Sequence, residues 1–344
     1  MRLEGGDGGA TIGALFERYR GLILSRVAPG TARGYMVAWR RRVAPSFELR
    51  PVAELTPLDI EAEFAAWSGS RSTRIDALSM LSAICRVAVK GGHLVANPCL
   101  GVDVPRGREA DPASRSLNVS EVSRLLNVLP QSGPYRRFVL TLLYTGCRLG
   151  EVAALRVSNV DLSERVIRVA QTASPGMHGE LLIGPTKGRR VRLVPIADPL
   201  LSVVFEAMDS KAEHDLLFPG PRGGYINSKN LSRALHWSDI RDRVKTFTPG
   251  EPALHWHDLR HTAAVALFSA GVSAPDVPTS RRSSGTRRCS SLSYTQTHER
   301  MRRGAVRLPY PSIGMPSRTV YFEGVRSPQK WRLIREFEGG SDRD

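Results

Sequence analysis

The 344-residue chain carries 49 Lys+Arg against 33 Asp+Glu, a formal charge of +16, with 41% hydrophobic and 24% charged residues. That length accommodates two domains with separate cores, and that balance makes a soluble globular protein the default expectation. A cation excess spread along the whole chain points to a polyanionic partner, nucleic acid before anionic membrane, since no amphipathic Lys-rich anchor stands out. Cys85, Cys99, Cys147 and Cys289 show no Cys-x-x-Cys spacing. No metal site is therefore expected, and the four read as free thiols of a reducing compartment. No apolar run approaches a membrane span and the N-terminus lacks a signal-peptide apolar region, so the expected location is the cytoplasm.

After a Gly-rich start over residues 1–10, read as disordered, Thr11 can cap a helix whose Ile12, Leu15, Phe16, Tyr19, Leu22 and Ile23 follow a 3.6-residue stripe. Thr31 opens a second, basic helix through Tyr35, Val37 and Trp39 to Arg40, Arg41 and Arg42. Thr56 as N-cap with Pro57 at the first helical position starts a third. Ser72 or Thr73 caps a longer helix with Ile75, Leu78, Leu81, Ile84, Val87 and Ala88 on one face, ended by Gly91-Gly92. Residues 11–100 thus read as a small all-helical domain. Residues 101–116, with Arg106 and several prolines, read as a basic linker.

A second domain is assigned to residues 117–308. Asn118-Val-Ser-Glu121 is a capping pattern, and the helix from Tyr135 to Tyr144 is apolar on most sides, as a buried helix must be. It stops at Thr145-Gly146, and a new helix carries Arg148, Leu149, Glu151 and Val152. Three β-type stretches follow, Val166–Val169, Leu181–Ile183 and Val191–Val194, the last two separated by a turn that holds Lys187, Arg189 and Arg190. Helices are expected around Ala197–Met208, Asn227–Val244 and Asp258–Ala270. Residues 309–344 match no pattern and are left unassigned.

Chemistry concentrates in Leu254-His-Trp-His-Asp-Leu-Arg-His-Thr-Ala263. A helical spacing of three puts His257 and Arg260 on one face, about 5–6 Å apart at Cβ. Together they could grip one phosphate, the guanidinium as a fork and the imidazole as a proton-transfer group. Arg148 behind the Gly146 turn is a second candidate fork. A reaction that builds negative charge on phosphate oxygens would be eased by cations preorganised in this way.

The ordered set Thr145-Gly-Cys-Arg148-Leu-Gly-Glu151, Lys187 and His257-Asp-Leu-Arg260-His261 resembles the catalytic domain of the tyrosine recombinase, or phage integrase, family. Thr31-x-x-x-Tyr35 and Asn97-Pro98 resemble its helical DNA-clamping module. The resemblance covers roughly residues 11–272. It implies a fold that is mainly α with a small β-sheet in the second domain, a two-domain DNA clamp built from a helical core-binding domain and an α+β catalytic domain. It further implies a site-specific recombinase that cuts and rejoins DNA through a 3′-phosphotyrosine intermediate, without cofactor. Catalytic residues would be Arg148, Lys187, His257, Arg260 and the nucleophile Tyr294, with Glu151 orienting Arg148. Tyr310 and Tyr321 are lesser candidates for the nucleophile. Double-stranded DNA is the implied partner, bound by a homo-tetramer on synapsed sites. Arg33, Arg40, Arg41, Arg42, Arg74, Arg106, Arg189 and Arg190 are the expected DNA-contacting side chains.

The chain departs from that family between Val277 and Ser293, where Arg and Ser replace an expected apolar helix and Gly-His or Gly-Trp pair. So little burial there predicts disorder. Out-of-frame translation across Val277–Ser290 is one account of it, and the coding DNA decides that point. A DNA-binding protein of the same fold with impaired or lost cleavage is the alternative function.

Overall fold

The computed structural model describes residues 9–105, 116–176, 180–186, 188–189, 191–245 and 253–269. By internal contacts the chain divides into two compact units, the first of Met1–Glu109 with Ser174–Leu182 and the second of Ala110–Ala173 with Ile183–Asp344.

The first unit is a helical bundle. Helix α1 (Ile12–Ser25) begins where the Thr11 side chain accepts from the Ala14 N–H at 3.1 Å, and it buries Ile12, Leu15, Phe16 and Ile23. Helix α2 (Pro29–Ala38) starts two residues before the expected Thr31, because Pro29 at the first helical position needs no N–H partner. A π-helical turn over Trp39–Val43 then leads into α3 (Ala44–Phe47). The extra residue in that turn keeps Trp39, Val43 and Phe47 inward while Arg40 and Arg41 face solvent.

Thr56 and Asp59 form a capping box at α4 (Pro57–Ala66). Helix α5 (Arg71–Lys90) is capped by Ser70 rather than by Ser72 or Thr73. It forms the spine of the unit, burying Ala77, Met80, Leu81, Ile84, Cys85, Val87 and Ala88. Phe16 meets Trp39 with ring centroids 4.2 Å apart, and each such fully buried aromatic contributes about 2–3 kcal/mol.

The second unit is built around α7 (Pro134–Thr145), whose Phe138, Val139, Leu140, Leu142 and Leu143 are all buried. Helix α6 (Val119–Val128) enters through the Asn118–Glu121 capping box, and α8 (Leu149–Ala153) follows α7 closely. Strands β1 (Val160–Asp161), β2 (Val166–Val169) and β5 (Arg192–Pro195) make an antiparallel sheet in the order β1-β2-β5, with Ile167 opposite Val194 and Val169 opposite Arg192. Strands β3 (Gln171–Pro175) and β4 (Leu181–Pro185) pair separately.

The expected hairpin of the stretches near Leu181–Ile183 and Val191–Val194 is therefore corrected. The two belong to different sheets, because β3, a polar strand without β-branched clustering, partners β4 and leaves β5 to β2. Helix α9 (Asp198–Met208) packs on α7. The single helix expected at Asn227–Val244 is two, α10 (Ser228–Ala234) and α11 (Trp237–Val244), broken where His236 adopts φ 49°. Helix α12 (Asp258–Ser269) closes the described chain against α7. No described helix is long and apolar enough to cross a membrane. The fold is mainly α with small antiparallel sheets, as expected.

Candidate active site

The site starts at the end of α7. Gly146, at φ 60°, takes the left-handed conformation that ends the helix, and its N–H bonds the Leu142 carbonyl at 3.0 Å. The chain reverses, and Arg148 becomes the N-cap of α8, with its N–H donating to Glu151 Oε2 at 2.8 Å. The Arg148 guanidinium donates through one Nη to Glu151 Oε1 at 3.0 Å and stays partly exposed. Gly150 allows this: an added Cβ would fall within 2.7 Å of Thr172 Oγ1 and still closer to the Ala173 carbonyl oxygen. Helix α8 therefore rests directly on the β3 backbone.

Arg260 enters from α12. Its guanidinium is buried and donates to the Gly146 carbonyl, while its Nε has no partner among the described residues. Burial, then the nearby Arg148 cation, pulls Arg260 down to about 10, still charged at neutral pH. His257 lies in the turn just before α12, where the Arg260 N–H bonds the His257 carbonyl at 3.0 Å. Its imidazole is held below the ordinary histidine value by partial burial, then by His261 and Arg260. The His261 ring meets it edge-on at 5.2 Å. The preceding turn is fixed by Trp237 and Trp256, stacked at 3.7 Å, with Trp256 Nε1 donating to Ser232 Oγ at 2.9 Å and Trp237 Nε1 to the Leu254 carbonyl at 3.2 Å.

The structure therefore brings Arg148, His257 and Arg260 together. Lys187 and Tyr294, and with them Tyr310, Tyr321, Arg106, Arg190 and the whole of 277–293, lie outside the described residues. Of the other arginines, Arg40, Arg41 and Arg189 are exposed and Arg33 is half-buried. Arg42 forks onto the Ser68 carbonyl at 3.1 and 2.6 Å, and Arg74 lies over the Phe64 ring, so both are engaged within their own unit.

One member was not anticipated. Arg192, on β5, donates to Glu151 through two nitrogens at 3.1 and 2.5 Å. Burial alone would raise the Glu151 carboxyl, but Arg192 first and Arg148 next hold it below the ordinary carboxylate value. The available signal was the strand period: Arg192 shares the inward face with Val194, where a cation needs a buried partner. Three guanidinium groups around one carboxylate leave net positive charge, which suits an anion. Among the described residues no cluster of His, Cys, Asp and Glu could hold a metal ion.

Residues 115–279 match the model of the phage integrase family. A putative prophage phiRv2 integrase of Mycobacterium tuberculosis is 25% identical over 274 residues, which cover 77% of this chain and 70% of that protein. A Tn1549 transposon integrase solved with transposon right-end DNA superposes with a TM-score of 0.64 at 16% identity, over 85% of this chain and 99% of the other. A lambda integrase tetramer solved on a Holliday junction gives a TM-score of 0.61 at 16% identity, over 82% and 81%.

Proposed function

We propose that this chain, whose residues 115–279 match the phage integrase family model, is a site-specific DNA recombinase that cuts and rejoins strands through Tyr294. The observation that carries the reading is the convergence of Arg148 and Arg260. They come from separate elements and meet at the Gly146 turn, where the Arg148 guanidinium stays partly exposed with donors beyond its one Glu151 contact. Two forks at that spot suit the two non-bridging oxygens of a phosphodiester.

The Tyr294 hydroxyl gives its proton to His257 as its oxygen bonds to phosphorus, the bond to the 5′ oxygen breaks, and that oxygen leaves as a hydroxyl with a proton from Lys187. The product is a 3′-phosphotyrosine, and attack by a 5′-hydroxyl reverses the step, so no external energy source is needed. Arg148 and Arg260 hold the charge that develops on phosphorus oxygens. A free phenol has a pKa of about 10, and these cations favour its anion during attack. His257, neutral near pH 7, is placed to hydrogen-bond the phosphate or shuttle a proton. Arg33, Arg40, Arg41, Arg106, Arg189 and Arg190 are proposed to contact the DNA backbone, with Arg42 and Arg74 bracing the same unit. A homo-tetramer on two synapsed duplexes is the proposed working assembly, as the lambda neighbour is a tetramer on a junction.

The test is a pool of nicked duplexes with randomised sequence around the nick, from which the cleaved fragment is lost so that the covalent adduct accumulates. Expected is an adduct that disappears in Tyr294→Phe, Arg148→Ala and Arg260→Ala. The second reading, DNA binding without cleavage, is favoured by the Arg/Ser composition of 277–293. Retarded DNA with no adduct decides for it.

A further inference from the structure

Glu151 is 1% exposed, yet it stands beside the two arginines proposed to hold a phosphate. An anion so placed competes with the phosphate for them. The geometry shows what limits that competition. Arg192 covers both oxygens of Glu151, at 3.1 Å from Oε1 and 2.5 Å from Oε2, while Arg148 reaches only Oε1, through one Nη at 3.0 Å. The second Nη and the Nε of Arg148 make no hydrogen bond to the described residues and remain for a ligand. Arg192 is itself tied in place, its Nη2 lying 3.6 Å from Cys147 Sγ, beside the Gly146 turn.

We infer that Arg192 is a positioning residue: it neutralises the buried Glu151 carboxylate and so keeps the Arg148 guanidinium available to the scissile phosphate. This rests on the recombinase reading for the phosphate but not for the ion-pair geometry. A buried carboxylate that loses its fork partner takes the nearest remaining cation. In Arg192→Gln that cation is Arg148, which would close onto Glu151 as a fork and face away from its ligand.

Two measurements test it. The first is the rate of covalent adduct formation on the nicked duplex pool. The second is the rate at which phenylglyoxal, an arginine-selective dicarbonyl, modifies Arg148, read by peptide mass spectrometry on the protein without DNA. In Arg192→Gln the adduct should form at least about tenfold more slowly and Arg148 should label about threefold more slowly, while duplex affinity moves by less than about threefold. Removing the competing charge in the double variant Arg192→Gln/Glu151→Gln should restore Arg148 labelling to about the wild-type rate and regain most of the lost adduct rate. Arg192→Lys, which keeps the charge without the fork, should retain most of both.

A merely structural arginine would behave otherwise, with Arg148 labelling unchanged or faster in Arg192→Gln and no recovery in the double variant. Either result overturns the inference. Where Arg192→Gln does not fold, the charge-balanced double variant and Arg192→Lys carry the test, and an adduct lost in both overturns it. If the wild-type protein forms no adduct, the recombinase reading fails, and the labelling order alone decides the role of Arg192.

Discussion

Arg260 is a cation held where a protein gains little from one. Its side chain is buried, its Nε lacks a partner among the described residues, and Arg148 and Arg192 both depress its charge state. A group whose charged form is disfavoured by the fold destabilises that fold, so replacing it with an apolar residue of similar length should help stability. Arg260→Met is expected to raise the unfolding free energy by about 1–2 kcal/mol in chemical denaturation while abolishing adduct formation. A fall in stability would mean that the Gly146 contact outweighs the charge penalty.

Glu151 has the opposite sign. Its carboxyl is held below its ordinary value in the folded state, so its ion pairs contribute stability that is fully present above the unfolded carboxyl value, about pH 4.3. That contribution is lost as pH falls through the folded value. Glu151→Gln should lose about 3 kcal/mol at pH 7 and show a flatter acid limb, approaching the wild type at low pH. Urea titrations across pH 3–7 would read this, and a pH-independent difference would exclude the ion pair as its source.

At the scale of elements, the site depends on how closely α8 approaches β3. Gly150 has no room for a Cβ, because both the Ala173 carbonyl and Thr172 Oγ1 stand in the way, and α8 cannot retreat without moving Arg148 and Glu151, which flank Gly150 on it. Gly150→Ala should cost about 2–3 kcal/mol and slow adduct formation well beyond the effect of Ala at a solvent-facing position of α6, such as Asn127. An adduct rate equal to the wild type would show that α8 can shift freely.

The same junction explains what could be read in advance. Local signals were legible: Thr11, Thr56 and Asn118 cap helices where their sequence patterns suggest. The turn at Gly146 and the Arg148–Glu151 spacing are equally local. The pairing of β5 with β2 was not legible, since it is set by a choice between partners distant in sequence, and β3 carries too few strand-forming residues to reveal itself as the partner of β4. Arg192 was missed for that reason. Its neighbour Glu151 lies 41 residues away, and only the sheet brings them together.

For the whole molecule, the +16 charge makes a prediction that separates arginines by what they already touch. An arginine free to meet a DNA phosphate releases a counterion when it does so, and its loss lowers the slope of log affinity against log salt by about one unit. An arginine engaged with its own fold contributes to stability instead. The π-helical turn sets up this contrast within three consecutive residues, with Arg40 and Arg41 exposed and Arg42 forked onto the Ser68 carbonyl. Arg40→Ala and Arg41→Ala should each reduce the salt slope of duplex binding and leave thermal stability within about 0.5 kcal/mol. Arg42→Ala should leave the slope intact and lower stability by about 1 kcal/mol, since the Ser68 carbonyl loses a charged donor. Fluorescence anisotropy over a salt series, paired with thermal unfolding of each variant, separates the two classes. If Arg42→Ala lowers the slope as much as its neighbours do, its guanidinium exchanges the Ser68 carbonyl for phosphate on binding. The helical unit would then grip DNA with all three arginines rather than with two braced by the third.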